Sequence, residues 1–379
     1  MLSMPNSRGQ AHAGPTVRHD EPTDEPFGGA MSIQLDDAAR AAADRIEAFL
    51  ATRDGGAGVL QVVEYVPITG GYSRAMSRFT VEDGRGRRSY VMRADPPPGT
   101  SILDTDRAVE WTVLSALCAS GSIPIPAARW FDPTGDELGS PAIIIDLVHG
   151  QGLPVLIAER TDDHRSFVAS LADTIATVHA YDTAALPAIM ARPTNWDAYL
   201  DGCIRQWVDA EAAHAEREPF LRLAAAWLDA NRPPPAPLTL VHGDFQAPNV
   251  LVEASDGRFL LIDWELTHIG DPREDLGWWS LAATSQPPDI IAADAEAFFA
   301  RYRERTGLSE RVVNPATVAY FTVMSSANVF FSLIRQTTLM TREETTAMGI
   351  AYMTNAMPFM HGVWIDAMAR AGGWTGGAR

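Results

Sequence analysis

The chain has 379 residues, and 46% of them are hydrophobic, which is ample for a buried core spread over two or three structural units. The formal net charge of −18 argues against nucleic acid or an anionic membrane as a main partner. All 30 basic residues are arginine, which excludes a Schiff-base lysine and the phosphate-binding lysine of a P-loop.

The N-terminus, the cysteines and the apolar runs bear on where the chain is located. Residues 1–34 are rich in Pro, Gly, Ser and charge, and we expect them to form a disordered tail. Cys118 and Cys203 form neither a disulfide framework nor a zinc-binding spacing. No apolar run reaches the ~18 residues of a membrane span, and the N-terminus lacks the apolar core of a signal peptide. We therefore expect a cytoplasmic protein without a membrane partner, and we leave its oligomeric state open.

The segment 35–148 is predicted to form a small sheet with helical cover. Apolar residues at helical spacing predict a first helix over 35–50 and another over 104–120. Strand patterns separated by turn residues occur at 59–66, 77–81, 89–93, 128–132 and 142–148. The layout predicts an antiparallel sheet of five strands.

Two glycines, Gly70 and Gly71, lie in the turn between the first two strands. Backbone N–H groups can approach phosphates where side chains are small, so the turn is a candidate cover for a nucleotide. Ser73 is the candidate phosphate contact at its tip. An ordinary hairpin is the better explanation of the two glycines alone, and only the position of the turn before the remaining motifs favours the nucleotide.

Glu110 lies on the apolar face of the helix over 104–120, together with Val113, Leu114 and Leu117. A carboxylate buried without a partner is strongly destabilising. Arg93, at the end of the third strand, is the predicted partner. The alternative is that Glu110 lies at the margin of the face and reaches solvent.

From residue 153 onward the pattern is mainly helical. Helices are predicted over 166–179, 272–283, 292–306, 315–339 and 341–368, with two more within 196–230. The aromatic and methionine side chains of these helices, Trp278 among them, are expected to lie in the core.

The helices are interrupted by the segment 238–265, which reads as three short strands. Strands are predicted at 238–241, 250–252 and 259–262, with a hairpin turn at Asp256-Gly257. This arrangement places Asp244 and Asn249 in one loop and Asp263 at the exit of the last strand. His242 is expected to brace the loop by hydrogen bonding, and Asp271 to hold the chain that follows.

The spacing of these three residues matches the requirements of phosphoryl transfer. Transfer needs a carboxylate that orients the attacking hydroxyl and receives its proton, and hard oxygen ligands for Mg²⁺. Asp244 fits the first role, as the candidate catalytic residue, while Asn249 and Asp263 fit the second, as candidate metal ligands.

The ordered set of motifs resembles the aminoglycoside phosphotransferase family of small-molecule kinases. The set comprises His242-Gly-Asp244, Asn249, Ile262-Asp-Trp-Glu265, Gly270-Asp-Pro272 and Asp275-Leu276. The resemblance implies an α+β, bilobal, protein-kinase-like fold, with ATP and Mg²⁺ bound between the lobes. The N-lobe, residues 35–148, is then a small antiparallel sheet with one helix, and the C-lobe, residues 149–379, is larger and mainly helical.

The resemblance also assigns roles in nucleotide binding. In the family the third strand carries a lysine that holds the α and β phosphates, paired with a helix glutamate, and here Arg93 and Glu110 occupy these positions. The segment from Arg93 to Pro96-Pro-Pro-Gly99 is similar to the branch of the family fused to acyl-CoA dehydrogenases. The backbone of Asp146 and Val148 corresponds to the hinge that binds adenine.

Three function classes remain open from the sequence. The leading one is a kinase for a small-molecule hydroxyl, with a hydroxyacyl-type or other metabolic alcohol ahead of an aminoglycoside or macrolide. The second, motivated by Arg93, is a catalytically weak nucleotide-binding module. The third is a metallohydrolase that uses His242, Asp244, Asp263 and His268.

Overall fold

The computed structural model describes residues 36–53, 59–68, 74–96, 106–214, 219–327 and 362–372. The predicted tail, 1–34, and the predicted phosphate contact Ser73 lie outside these ranges. Within the described ranges, no helix combines the length and the apolar character needed to cross a bilayer.

The N-terminal part is built on one antiparallel sheet of five strands in the order β1-β2-β3-β5-β4. Its strands are β1 (Gln61–Ile68), β2 (Ala75–Asp83), β3 (Gly86–Ala94), β4 (Ala128–Asp132) and β5 (Ala142–Asp146). All five strands were predicted from the sequence. Tyr90 of β3 lies opposite Asp146 of β5, and Arg93 lies opposite Ile143.

Two helices pack on opposite faces of this sheet. Helix α1 (Asp37–Ala51) buries its apolar side against the face that carries Tyr90 and Met92. Helix α2 (Arg107–Ser120) packs on the other face, against Val91 and Ile143. Because side chains alternate along a strand, Arg93 of β3 also points to the face that α2 covers. Helix α2 is the N-lobe helix of the predicted fold class, and α1 corresponds to the helix predicted over 35–50.

The second part contains two small sheets. Strands β6 (Gly150–Gly152), β8 (Val250–Glu253) and β9 (Phe259–Leu261) form one, and β7 (Thr239–Val241) pairs with β10 (His268–Gly270) in the other. The hairpin of β8 and β9 is confirmed, with Val250 opposite Leu261. The sequence did not predict β10, and therefore did not predict the pairing of His268 with Val241 between β10 and β7.

The remainder of the described chain is mainly helical, as predicted. The helices are α3 (Leu153–Glu159), α4 (His164–His179), α5 (Trp196–His214), α6 (Pro219–Ala230), α7 (Arg273–Ala283), α8 (Ile290–Ala293) and α9 (Ala295–Thr306), followed by helical segments 315–327 and 362–370. The α+β class is therefore confirmed. Strand β5 ends at Asp146 and β6 begins at Gly150, on either side of the predicted lobe boundary, which stays a prediction.

Candidate active site

The loop that follows β7 carries Asp244 and is shaped by the glycine before it. Gly243 has φ +87°, a left-handed conformation that favours glycine. A Cβ at this position would lie 2.3 Å from the carbonyl oxygen of Leu266, so any side chain here would push apart the two segments. The tight turn at Gly243 therefore fixes the position of the Asp244 backbone.

Asp275, in the first turn of α7, anchors this loop from below. It is fully buried and accepts the backbone N–H groups of His242, at 2.8 Å, and Gly243, at 2.9 Å. His179, at the end of α4, lies 2.9 Å from the same carboxylate and contacts Tyr302 with its other ring nitrogen. Burial raises the pKa of Asp275, but the hydrogen bond and charge of His179 outweigh it and the net pKa is lowered.

We expect Asp275→Asn to lower the free energy of unfolding by about 2–4 kcal/mol, because an amide cannot satisfy both backbone donors and His179. Urea unfolding measures the change. The matched control is Asp173→Asn, which removes a partner of Arg301 at a half-exposed site and is expected to cost only about 0–1 kcal/mol. Equal stabilities of the two variants would contradict the anchoring role.

His242 braces the loop, as predicted. Its Nδ1 accepts the backbone N–H of Asp244 at 3.2 Å, so Nε2 carries the proton and donates to the carbonyl of Ile262 at 3.0 Å. Burial lowers the pKa of His242, which favours this neutral form. The ring also packs on Trp264, with ring centres 4.6 Å apart. The loop of Asp244 is thereby joined to the chain that leads to Asp263.

The Asp244 carboxylate accepts three side-chain N–H groups. Gln246 Nε2 and Trp278 Nε1 donate to Oδ1 at 2.7 and 2.6 Å, and Asn249 Nδ2 donates to Oδ2 at 2.6 Å. Burial raises the pKa of Asp244 to about 7, and the nearby charge of Asp263 adds to the rise, against the hydrogen bonds of Asn249 and Trp278. Asp244 and Asn249 are thus in direct contact, as their spacing predicts.

Two of these donors were not identified from the sequence. Trp278 was expected to be a core residue, and this was wrong: it is half-buried and its indole N–H binds Asp244. A signal existed, because Trp278 lies three residues after Asp275 and therefore on the same face of α7. Gln246 lies two residues after Asp244, and no pattern distinguished it from other polar loop residues.

Asp263 follows β9 in a backbone conformation that is rare outside glycine. Its φ is +68°, and Asp is one of the few residue types that visit this region. Its carboxylate forms an ion pair with Arg93. Two residues later, Glu265 Oε2 lies 2.8 Å from Nε of Arg74, which precedes β2. The loop after β9 is therefore held by two arginines of the N-terminal part.

The predicted ion pair between Arg93 and Glu110 is confirmed. Nη1 of Arg93 donates to Oε1 of Glu110 at 2.6 Å, and the Glu110 side chain is only 1% exposed, which excludes the solvent-facing alternative. Arg107 donates to the other oxygen of Glu110 at 3.1 Å. Burial lowers the pKa of Arg93, but the charges of Asp263 and Glu110 outweigh it, and the net pKa is raised. Arg93 therefore links α2 to the Asp263 loop.

The predicted hinge residues lie where the five-stranded sheet ends. The carboxylate of Asp146 binds Arg129, at 2.7 and 2.5 Å, and its backbone N–H donates to the carbonyl of Ala127 at 2.9 Å. The backbone N–H of Val148 donates to no backbone carbonyl within the described residues. No hydrogen bond in the described part of the chain joins these two residues to the Asp244 cluster, and their role stays a prediction.

The oxygen donors at the cluster fit a magnesium ion. Asn249 directs its Nδ2 to Asp244, which leaves its amide oxygen for a cation, and Asp263 adds a carboxylate that is 27% exposed. No group of three His, Cys, Asp or Glu side chains in the described ranges could hold a metal by itself. The two oxygen donors, Asn249 and Asp263, suit Mg²⁺, which commonly takes one or two carboxylates from the protein and completes its shell with phosphates and water.

The two histidines that a metallohydrolase would use as metal ligands, His242 and His268, already have hydrogen-bond partners within the protein. Both ring nitrogens of His242 have partners in the loop. Nδ1 of His268 contacts the carbonyl of Leu266 at 2.9 Å, and its Nε2 lies near Tyr199 and Glu274. Burial lowers the pKa of His268, but Glu274 outweighs this and raises it to about 9, which disfavours metal binding.

Comparison with known proteins gives sequence relatives first. The model of the phosphotransferase enzyme family (APH) matches residues 64–310. The chain is 27% identical over 225 residues to a probable acyl-CoA dehydrogenase, IBR3, of Arabidopsis thaliana, and 27% identical over 221 residues to acyl-CoA dehydrogenase family member 11 of Gallus gallus. Each match covers 55% of this chain and 27% of the relative, so the chain spans about a quarter of the length of these relatives.

Solved structures give the fold. A putative aminoglycoside phosphotransferase from Ralstonia eutropha JMP134 has a TM-score of 0.65 at 21% identity, covering 86% of this chain and 98% of that one. Aminoglycoside phosphotransferase APH(4)-Ia, solved as a thermostable mutant with ADP and hygromycin B, has a TM-score of 0.58 at 17% identity, covering 87% and 99%. These likenesses confirm the bilobal, protein-kinase-like fold.

The acyl-CoA dehydrogenase relatives agree with the similarity noted around Arg93. The family match covers more than half of the chain and includes every motif from His242 to Asp275. The chain therefore belongs to the phosphotransferase enzyme family.

Proposed function

We propose that this chain is an ATP- and Mg²⁺-dependent kinase that transfers the γ-phosphoryl group to the hydroxyl of a small molecule. The observation that carries the proposal is the convergence of four side chains: Asp244 contacts Asn249, and Asp263 contacts Arg93, within one charged cluster. We propose a cytoplasmic location, with no nucleic-acid or membrane partner, on the composition alone.

In the proposed reaction, Asp244 orients the acceptor hydroxyl and takes its proton as the hydroxyl oxygen bonds to the γ-phosphorus. The bond between that phosphorus and the β–γ bridging oxygen breaks, and ADP leaves. Mg²⁺, held by Asn249 and Asp263, would neutralise the phosphate oxygens. The N–H donors around Asp244 fix the direction of its carboxylate. This matters because positioning supplies most of the rate enhancement in phosphoryl transfer. Arg93 and the backbone at Asp146 and Val148 are proposed nucleotide contacts.

A cavity beside the catalytic loop supports an acceptor with an apolar body. It has a volume of about 310 Å³ and is lined by Pro154, Ile157, Ala158, Ala247, Pro248, Gln286, Pro287 and Pro288. Its polar lining residue, Gln286, donates to Gln246, which in turn donates to Asp244. A polycationic aminoglycoside would favour acidic residues in its pocket, and none of these lining residues is acidic. We therefore propose a hydroxyacyl-type or other metabolic alcohol ahead of an aminoglycoside or macrolide.

The second candidate is a nucleotide-binding module with weak transfer activity, which the arginine at position 93 motivates. The contact geometry favours the kinase, because Arg93 pairs with the buried Glu110 as the family lysine does with its glutamate. The guanidinium group of Arg93 keeps the positive charge, and its planar fork suits phosphate oxygens, while its reach and geometry differ from those of lysine.

The test is a screen for ATP consumption with Mg²⁺ over hydroxylated metabolites, including hydroxyacyl thioesters, choline, homoserine, aminoglycosides and macrolides. We expect consumption with one acceptor class and a phosphorylated product by mass spectrometry. Tight ATP binding without transfer to any acceptor would favour the binding module. Ester hydrolysis with a transition metal and no need for ATP would favour the metallohydrolase.

Trp278→Phe is expected to lower kcat about 10-fold, because it removes one N–H donor that directs the Asp244 carboxylate. The KM for ATP should stay unchanged, since the indole binds the catalytic carboxylate and not the Asn249 and Asp263 pair. Trp279→Phe is the matched control: it removes an indole N–H that donates to Asp289 at 3.1 Å, and its kcat should equal that of the wild type. A rise in the KM for ATP at constant kcat in Trp278→Phe would contradict this role.

A further inference from the structure

The two acids of the loop after β9 both face arginines of the N-lobe, but only one of these arginines has a proposed role. Arg93 pairs with Asp263, the candidate metal ligand. Arg74 pairs with Glu265, and both of these side chains are deeply buried, at 5% and 4% exposed. The sequence motifs include Glu265 without assigning it a role, and they do not include Arg74.

Arg74 belongs to a closed network of charges. Three guanidinium groups and four carboxylates alternate along it, in the order Glu265, Arg74, Asp95, Arg107, Glu110, Arg93 and Asp263. The tripeptide from Asp263 to Glu265 closes it through the backbone. Because each charge has neighbours of opposite sign, removing one member leaves a buried group without part of its compensation.

The register of the sheet presents both arginines to the same loop. Ala75 lies opposite Ala94, so the next pair outward brings Arg74 opposite Asp95. Their side chains meet, with 3.2 Å between Nη1 of Arg74 and Oδ1 of Asp95. Arg93 and Asp95 are two residues apart and therefore point to the same face of the sheet. The position of Arg74 thus follows from the strand pairing.

The loop needs such support because Asp263 has an unfavourable backbone conformation. Its φ of +68° is unfavourable for most residues with a Cβ, and such a conformation persists where the surroundings determine it. Arg93 holds the carboxylate of Asp263 itself. The pair of Arg74 and Glu265 holds the chain two residues further on and leaves Asp263 untouched.

We propose that Arg74 is a positioning residue for the loop after β9, which carries the candidate metal ligand Asp263. By compensating the buried charge of Glu265, it keeps the loop packed against the sheet and keeps the carboxylate of Asp263 directed at the magnesium site. Without Arg74, the carboxylate of Glu265 would move toward water and draw Asp263 with it, because an incompletely paired buried carboxylate is costly. This inference rests on the proposed Mg²⁺-nucleotide site.

The test measures ATP affinity by titration calorimetry on the full chain, once with Mg²⁺ and once with EDTA. In Arg74→Gln, we expect the affinity for ATP with Mg²⁺ to fall about 10- to 100-fold, the usual effect of residues that orient a metal ligand. The affinity in EDTA should stay unchanged. Arg74→Lys keeps the charge and loses the planar fork, so its affinity for ATP with Mg²⁺ should lie between that of Arg74→Gln and that of the wild type. Should Arg74→Gln fail to fold, Arg74→Lys carries the same comparison.

The matched control is Arg78→Gln on β2, the strand that follows Arg74. This variant loses a pair with Glu64 at an exposed site, and it should bind like the wild type. In Arg74→Gln combined with Glu265→Gln, position 265 no longer carries a buried charge that has lost part of its compensation, and we expect part of the lost affinity to return. Wild-type affinity in Arg74→Gln, or an equal loss with Mg²⁺ and with EDTA, overturns the role of Arg74. A wild-type chain that binds no ATP with Mg²⁺ overturns the nucleotide site itself.

Discussion

Asp244→Asn is expected to abolish phosphoryl transfer while leaving ATP binding intact. An amide can still accept the indole N–H of Trp278, but it cannot take a proton from the acceptor hydroxyl. Loss of a general base lowers kcat by about 10²–10⁴-fold. The fold should persist, because burial already disfavours the charged form of Asp244, whose pKa is raised to about 7, and a neutral side chain avoids that cost.

The measurement is kcat with an acceptor from the screen, together with the dissociation constant for ATP with Mg²⁺. Asp256→Asn is the matched control, since Asp256 lies in the turn of the same hairpin and its side chain is 55% exposed. We expect this control to turn over at the wild-type rate. Unimpaired turnover in Asp244→Asn would remove the assignment of the base.

Asp263→Asn has the second large effect, which falls on the binding of the metal-loaded nucleotide. Residues that merely orient a metal ligand are worth up to about 100-fold in affinity, so loss of the ligand carboxylate itself should cost at least about that factor. Such a factor corresponds to about 2.7 kcal/mol of binding free energy. The variant also removes the acidic partner of Arg93, which stays paired with Glu110.

Titration of ATP with Mg²⁺ and with EDTA separates the loss of the metal ligand from the loss of the negative charge beside Arg93. With EDTA, Asp263→Asn should bind ATP no worse than the wild type, because the lost carboxylate only repels phosphate. Glu253→Gln, which loses its pair with Arg258 on the same hairpin, serves as the control and should match the wild type in both conditions. Equal Mg²⁺ dependence in Asp263→Asn and the wild type would assign the metal to another residue.

The catalytic hairpin could be predicted because the contacts that define it join residues that are close in the sequence. The turn at Asp256-Gly257 fixes which residues of β8 and β9 meet, and the five-residue spacing of Asp244 and Asn249 brings their side chains together. The pair of Arg93 and Glu110 spans 17 residues, yet it was also predictable. A carboxylate on an apolar helix face requires a cation, and few positions could provide one.

Contacts between distant segments could not be predicted in the same way. Strand β10 has only three residues, and its pairing with β7 depends on how the chain returns after Asp263. Whether Trp278 faces the core or the loop depends on how α7 is rotated, which is fixed by the buried Asp275. Arg74 meets Glu265 only because the five-stranded sheet and the loop after β9 pack together. Such contacts are decided by tertiary packing and leave no periodic pattern in the sequence.

Anomalous diffraction from crystals grown with Mn²⁺ and a non-hydrolysable ATP analogue tests the proposed site most directly, since manganese replaces magnesium and can be located unambiguously. We predict a manganese peak bonded to the amide oxygen of Asn249 and the carboxylate of Asp263, with the γ-phosphate facing Asp244. A peak bonded to neither residue, or a nucleotide bound away from Arg93, would contradict the assignment of these residues to phosphoryl transfer.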